Sequence, residues 1–116
     1  MNNIWSAEID SVLNVGRNLE IVGVRNWALD RESALKALRQ FSVMKIAVLG
    51  GDVYTVRDTR LESTYDNWYC NARAGERGAE YVARSIATAK QYIANYPANA
   101  GDVLFAIVPS VPVVTE

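Results

Sequence analysis

The run KIAVLGGDVYTV, residues 45–56, constrains the fold more than any other stretch. Two β-favouring segments flank Gly50-Gly51, and a diglycine adopts the positive φ angles of a tight hairpin turn without steric penalty. With those glycines as the whole loop, Val48 faces Val53, Ile46 faces Thr55 and Ala47 faces Tyr54, and opposed residues share a sheet face. Ile46, Val48 and Val53 then form a core face. Ala47, Leu49, Asp52 and Tyr54 form a mixed one. Such a hairpin commits the chain to an antiparallel sheet, and the remaining question is what covers it.

Helical periodicity supplies the cover. Val82, Ile86, Ala89, Ile93 and Tyr96 recur at steps of four and three, predicting a long helix from about Glu76 to Tyr96 that Pro97 ends. Asp30 is a good N-cap for a second helix with Ala34, Leu35, Leu38 and Phe41 on its buried side. Trp5, Ile9, Val12 and Gly16 predict a first helix over Asn3–Val15. Residues 18–29 have no clean period and read as an irregular or briefly extended connection. The polar RDTRLES (57–63) reads as a loop, followed by a third strand near Asp66–Asn71. Val103–Val108 is apolar at every position, which predicts a central strand under helices, with Pro109 and Pro112 barring regular pairing beyond it except at an edge. The sum is one α+β domain over residues 1–116: a small, mostly antiparallel sheet of about four strands against about three helices.

Composition narrows the function. The chain of 116 residues has 13 acids, 12 bases and a formal net charge of −1, without the basic excess of a nucleic-acid binder. It has no histidine and a single cysteine, Cys70, so no Ser-His or Cys-His pair and no standard zinc site can be assembled. A reducing compartment suits the lone thiol, and the start MNNIWSAEID lacks the layout of a secretory signal. The longest strongly apolar run, Val103–Val108, is far short of a membrane span. The expectation is a soluble, cytoplasmic protein without cofactor, metal, nucleic-acid or membrane partner.

The stretch STYDNWYC (63–70) concentrates Tyr65, Trp68 and Tyr69 beside Asp66. Period-two alternation sends Trp68 and Cys70 to one face and Asn67 and Tyr69 to the other. Burying a tryptophan removes about 200 Å² from water, worth on the order of 5 kcal/mol before entropic losses. Trp68 is therefore expected in the core. Asp52, Asp58, Glu62 and Asp66 against Arg57 and Arg60 give the neighbourhood a modest acidic excess. That matches either a solvated loop or an acidic, tyrosine-bearing patch for a basic partner.

Taken in order, VGVRNWALDRESALKAL, VLGGDVY, YDNWYC, EYVARSIATAKQYIANY and LFAIVP resemble the Imm40-type immunity proteins of bacterial polymorphic toxin and contact-dependent growth inhibition systems. The resemblance covers Val22 to Pro109, and its most distinctive pieces are Gly50-Gly51-Asp52-Val53-Tyr54, Asp66-Asn67-Trp68 and the helix bearing Ser85. It implies a non-catalytic antitoxin that binds the C-terminal toxin domain of a cognate protein, a nuclease or another enzyme. On that footing Asp52, Tyr54, Asp58, Glu62, Tyr65, Asp66 and Tyr69 are the expected contacts. Tyrosines would supply area, and carboxylates would pair with Lys/Arg or mimic phosphates. Trp68 and Ser85 would support that surface from behind. Two other readings stand beside it. A small enzyme or small-molecule binder would use Asp52 or Asp66 as base in an enclosed cleft beside the hairpin, with a raised carboxylate pKa. A self-associating structural subunit is the third, and the sequence leaves oligomeric state open.

Overall fold

Ser6 fixes where the first helix begins. Its hydroxyl accepts the Ile9 amide at 3.2 Å, so α1 runs Ala7–Leu13, shorter than the Asn3–Val15 span expected from apolar spacing. Asp10 explains the difference: its carboxylate accepts the amides of Ile4 and Trp5 at 2.8 and 2.9 Å and holds them outside the helix. The computed structural model describes residues 3–97 and 102–110, and the expectation for Pro112 lies outside them.

Asp30 caps α2 (Arg31–Met44) as its position predicts, accepting the Ser33 amide at 2.7 Å, and Ala34, Ala37, Leu38 and Phe41 form the buried side. Arg31, the first residue of α2, reaches the last turn of the long helix α3 (Gly78–Asn95). There it donates to the carbonyls of Ile93, Ala94 and Tyr96. A guanidinium at that end satisfies carbonyls the helix leaves unpaired and meets the negative pole of its dipole. The two helices are thereby tied together by a charge.

The main sheet overturns the diglycine turn. Its strands β3 (Val48–Arg57), β4 (Arg60–Tyr69) and β5 (Val103–Pro109) are antiparallel in the order β4-β3-β5. Gly50 and Gly51 lie inside β3, paired with Tyr69 and Trp68 on one side and with Val108 and Ile107 on the other. What matters there is the missing side chain. A Cβ on Gly50 would sit 2.2 Å from the Trp68 carbonyl oxygen, and one on Gly51 would sit 2.2 Å from the Trp68 ring and 2.5 Å from the Ala106 carbonyl oxygen. The turn is Asp58-Thr59, with φ of 50° and 66°. RDTRLES is thus a turn and the first part of β4, not a loop. The expected facing pairs do not form: Val48 pairs with Pro109, Val53 with Phe105, and Tyr54 with Ser63 and Leu104.

A second correction concerns β5. It borders the sheet, and β3 holds the centre. On its far side Leu29 and Phe105 exchange both backbone hydrogen bonds, at 2.8 and 2.7 Å. The apolar reading of its two faces was sound, but only one cover is helical. Phe105 and Ile107 join Val48, Val53, Trp68 and the buried sides of α2 and α3. Leu104 and Ala106 pack with Leu19, Ala28 and Tyr54. Leu19 and Ala28 come from the expected connection, where β1 (Arg17–Asn18) and β2 (Trp27–Ala28) form a two-stranded antiparallel ribbon. Among the described residues the result is an α+β fold of three α-helices and two small antiparallel sheets. Among the described residues no helix is long and apolar enough to cross a membrane.

Candidate functional site

Strand β4 has β3 as its only sheet neighbour among the described residues, and most of its side chains face water. Alternation works as read: Trp68 and Cys70 are buried, while Asn67 and Tyr69 are exposed. Trp68 is 7% exposed and stacks on Tyr92 of α3 at 4.8 Å between ring centroids. Tyr92 leads on to Tyr96, which meets Phe105 edge-on at 5.8 Å. Four rings thus run along the helix-covered face of the sheet. Among the described residues the Trp68 indole N–H has no acceptor.

The middle of β4 is irregular. Asn67 pairs with Asp52 and Ser63 with Tyr54, so Thr64, Tyr65 and Asp66 stand opposite Val53 alone. Such a bulge re-aims side chains and breaks the ladder. Tyr65 sits at φ +67° and is 88% exposed. A bulky residue in that region is a genuine outlier, costing of order 1–3 kcal/mol. The surroundings fix it. Ser63 Oγ accepts the Tyr65 amide at 3.0 Å, Thr64 Oγ1 accepts the Asp66 amide at 3.1 Å and donates to the Val53 carbonyl at 2.9 Å. Asn67 Nδ2 donates to the Tyr65 carbonyl at 3.3 Å. The Tyr96 hydroxyl donates to Asp66 Oδ2 at 2.5 Å, and this bond pushes the Tyr96 phenol pKa up.

The arm formed by β3, its turn and β4 brings most of the expected contact residues onto one element. Asp58 is at the turn, Glu62 and Asp66 are exposed along β4, and Tyr69, 75% exposed, is near its far end. At about 3.3 Å per residue the ends of this arm lie roughly 30 Å apart, with Tyr65 towards the middle. Tyr54 does not join them. It is 6% exposed within the cluster of Leu19, Ala28, Leu104 and Ala106, because the 17–28 ribbon covers a face that looked open in the local pattern. Its phenol pKa is raised by burial and then by the charge of Asp52.

Asp52 is exposed opposite Asn67 and Ala106, in a depression of about 230 Å³ lined by Leu49, Gly50, Asn67, Tyr69 and Val108 among others. Leu49, 41% exposed, and Asn67 were not among the expected contacts; the mixed-face alternation was the only signal for Leu49. Partial burial raises the Asp52 pKa. Asp66 instead reaches Tyr96, whose ring packs on Phe105 across the sheet, so the two carboxylates do not converge on one cleft. The depression is open and smaller than the roughly 300–1,000 Å³ of ordinary ligand clefts. No group of three or more metal-ligating side chains occurs among the described residues.

Behind this arm, α3 secures the start and end of the sheet segment. Ser85, fully buried, accepts the Val48 amide at 2.9 Å where β3 shifts register against β5. Without it that buried amide would lack a partner. Arg84 donates to both carboxylate oxygens of Glu76 at 2.7 and 2.8 Å, to the Asn71 carbonyl at 2.6 Å and towards the Cys70 sulfur at 3.0 Å. The Arg84 hydrogen bonds, followed by the Arg73 amide, hold the Glu76 pKa down at about 2. Tyr81 donates to the Cys70 carbonyl at 2.6 Å. The chain leaving β4 is therefore clamped.

The fold and this surface define a small α+β domain with a hairpin arm that exposes tyrosines and carboxylates beside a shallow depression at Asp52. The chain belongs to the immunity protein 40 family, whose model matches residues 18–109, from β1 to the end of β5. No curated protein and no solved structure matches it.

Proposed function

We propose that this immunity-family protein neutralises a cognate toxin domain by binding it, and that the β3–β4 arm is the binding surface. The observation that carries the reading is the family match over residues 18–109. Two further features support the arm as the surface. Tyr65 and Tyr69 are exposed aromatics, a residue type enriched at interface hot spots. Asp52, Asp58, Glu62 and Asp66 give the same arm four carboxylates for a basic counterpart. A nuclease domain is the partner we favour, because a surface built to hold phosphates is basic and carboxylates can occupy it in their place. The setting we propose is the cytoplasm of a bacterium exposed to a polymorphic, contact-delivered toxin. Catalysis by the chain itself has no part in this mechanism.

The test is co-expression with the toxin domain encoded by the neighbouring gene. Survival with the immunity protein present, and a stable complex on size exclusion, is the expected result. Death of the cells despite soluble, folded immunity protein would overturn the reading.

A further inference from the structure

We infer that Tyr65 is the anchor residue of this interface, held ready for its partner by a clip between Asp66 and Tyr96. This rests on the toxin-binding reading above and deepens it by naming the contact that dominates. Nothing in the fold needs the Tyr65 side chain. The residue is 88% exposed, and it belongs to neither buried cluster. Its φ of +67° is one that glycine or asparagine adopts far more readily than tyrosine. Yet its backbone is fixed from both sides: Ser63 Oγ takes its amide, Asn67 Nδ2 its carbonyl. Thr64 ties the preceding position to the Val53 carbonyl, and Tyr96 from the end of α3 ties Asp66. An exposed aromatic on an unfavourable backbone that its neighbours hold by hydrogen bonds suits an anchor whose backbone is ordered before binding.

The partner this anchor fits is the toxin domain, through an apolar slot about one ring wide on a basic surface. Glu62 and Asp66 stand on either side of Tyr65 along β4, so lysines or arginines at the rim of the slot would be matched by carboxylates. The position suits the role as well, since dominant contacts cluster near the centre of an interface and Tyr65 is towards the middle of the arm. Tyr96 is the positioning residue here, and Asp66 serves twice, with Oδ2 held by the Tyr96 hydroxyl and its carboxylate at the rim. Tyr96 acts through that bond without needing to touch the toxin.

The experiment uses the full chain and the toxin domain of the neighbouring gene, with calorimetric affinity and thermal melting on wild type, Tyr65→Gly and Tyr96→Phe. Tyr65→Gly is expected to melt higher than wild type, since glycine relieves the backbone, yet to bind about 30-fold or more weakly. Tyr96→Phe keeps both the ring packing and Tyr65. It is expected to weaken binding about 3- to 10-fold by letting the bulge move. Wild-type affinity in Tyr65→Gly, with the wild type itself binding tightly, overturns the anchor and leaves the toxin-binding reading intact. A lower melting temperature in Tyr65→Gly overturns the claim that the tyrosine is held against its preference. Failure of the wild type to bind the toxin sinks the broader reading, and the anchor with it.

Discussion

Trp68 and Tyr65 stand three residues apart on one strand and are treated in opposite ways. Trp68 is enclosed between Gly51 and Tyr92, on the face where α3 packs, and its burial stabilises the sheet. Tyr65 is displayed to water from a backbone conformation that works against it. The difference separates two uses of aromatic surface in a small domain: one holds the fold, and the other is kept available. A single strand serves both because its alternation and its bulge let neighbours face different environments.

Loss of the Trp68 ring should have the largest effect on that contrast. Trp68→Ala is expected to destabilise by about 3–5 kcal/mol in chemical denaturation, whereas Trp68→Phe, which keeps a ring and drops the unpaired N–H, should cost clearly less. A Trp68→Ala loss near that of Tyr65→Ala would erase the distinction between the two aromatics. Next comes the seat on which the ring rests. Gly51→Ala puts a methyl 2.2 Å from the Trp68 ring and 2.5 Å from a backbone oxygen, and about 1–3 kcal/mol of destabilisation is expected. Unchanged stability in that variant would mean that the glycine has no packing role.

The clamp behind β4 gives a smaller, pH-dependent effect. Glu76 has a pKa depressed from 4.5 to about 2 in the folded protein, so its contribution is present above pH 4.5 and is lost as pH falls towards 2. Glu76→Gln should therefore melt below wild type at neutral pH, with the two curves converging in acid. A gap that stays constant across a melting series from pH 7 to 2 would remove the ion pair from the account. The smallest effect on folding is expected on the arm itself. Asp58→Asn, which keeps a residue tolerant of the positive φ at the turn, with Glu62→Lys should leave stability within about 0.5 kcal/mol while slowing association with the toxin, most at low salt. Stopped-flow rates equal to wild type at every ionic strength would take these two carboxylates out of the interface.

How much was legible in the sequence follows the same division. Asp30 announced its helix, the apolar stripe announced α3, and alternation sorted Trp68 and Cys70 from Asn67 and Tyr69, because each of these is decided by near neighbours. Gly50-Gly51 misled because glycine answers two needs, positive φ and the absence of a Cβ, and the local pattern does not say which. The actual turn, Asp58-Thr59, includes a β-branched residue at φ 66°, which no turn rule favours. Tyr54 was placed on a mixed face and expected as a contact because the ribbon that buries it starts nearly forty positions earlier in the chain. The bulge at Tyr65 was hidden for a similar reason: one of the bonds that hold it comes from Tyr96, at the far end of α3.

The interruption in β4 also bears on how the molecule keeps to itself. A straight ten-residue border strand, with one side unpaired among the described residues, is a template on which further copies could be laid, rung by rung. By crowding Thr64, Tyr65 and Asp66 opposite a single residue, the chain divides its regular pairing into two short lengths, Arg60–Ser63 and Asn67–Tyr69, and short, bulged edges are poor templates for a continuous fibre. The kink that holds out a side chain for one partner thus also discourages polymerisation.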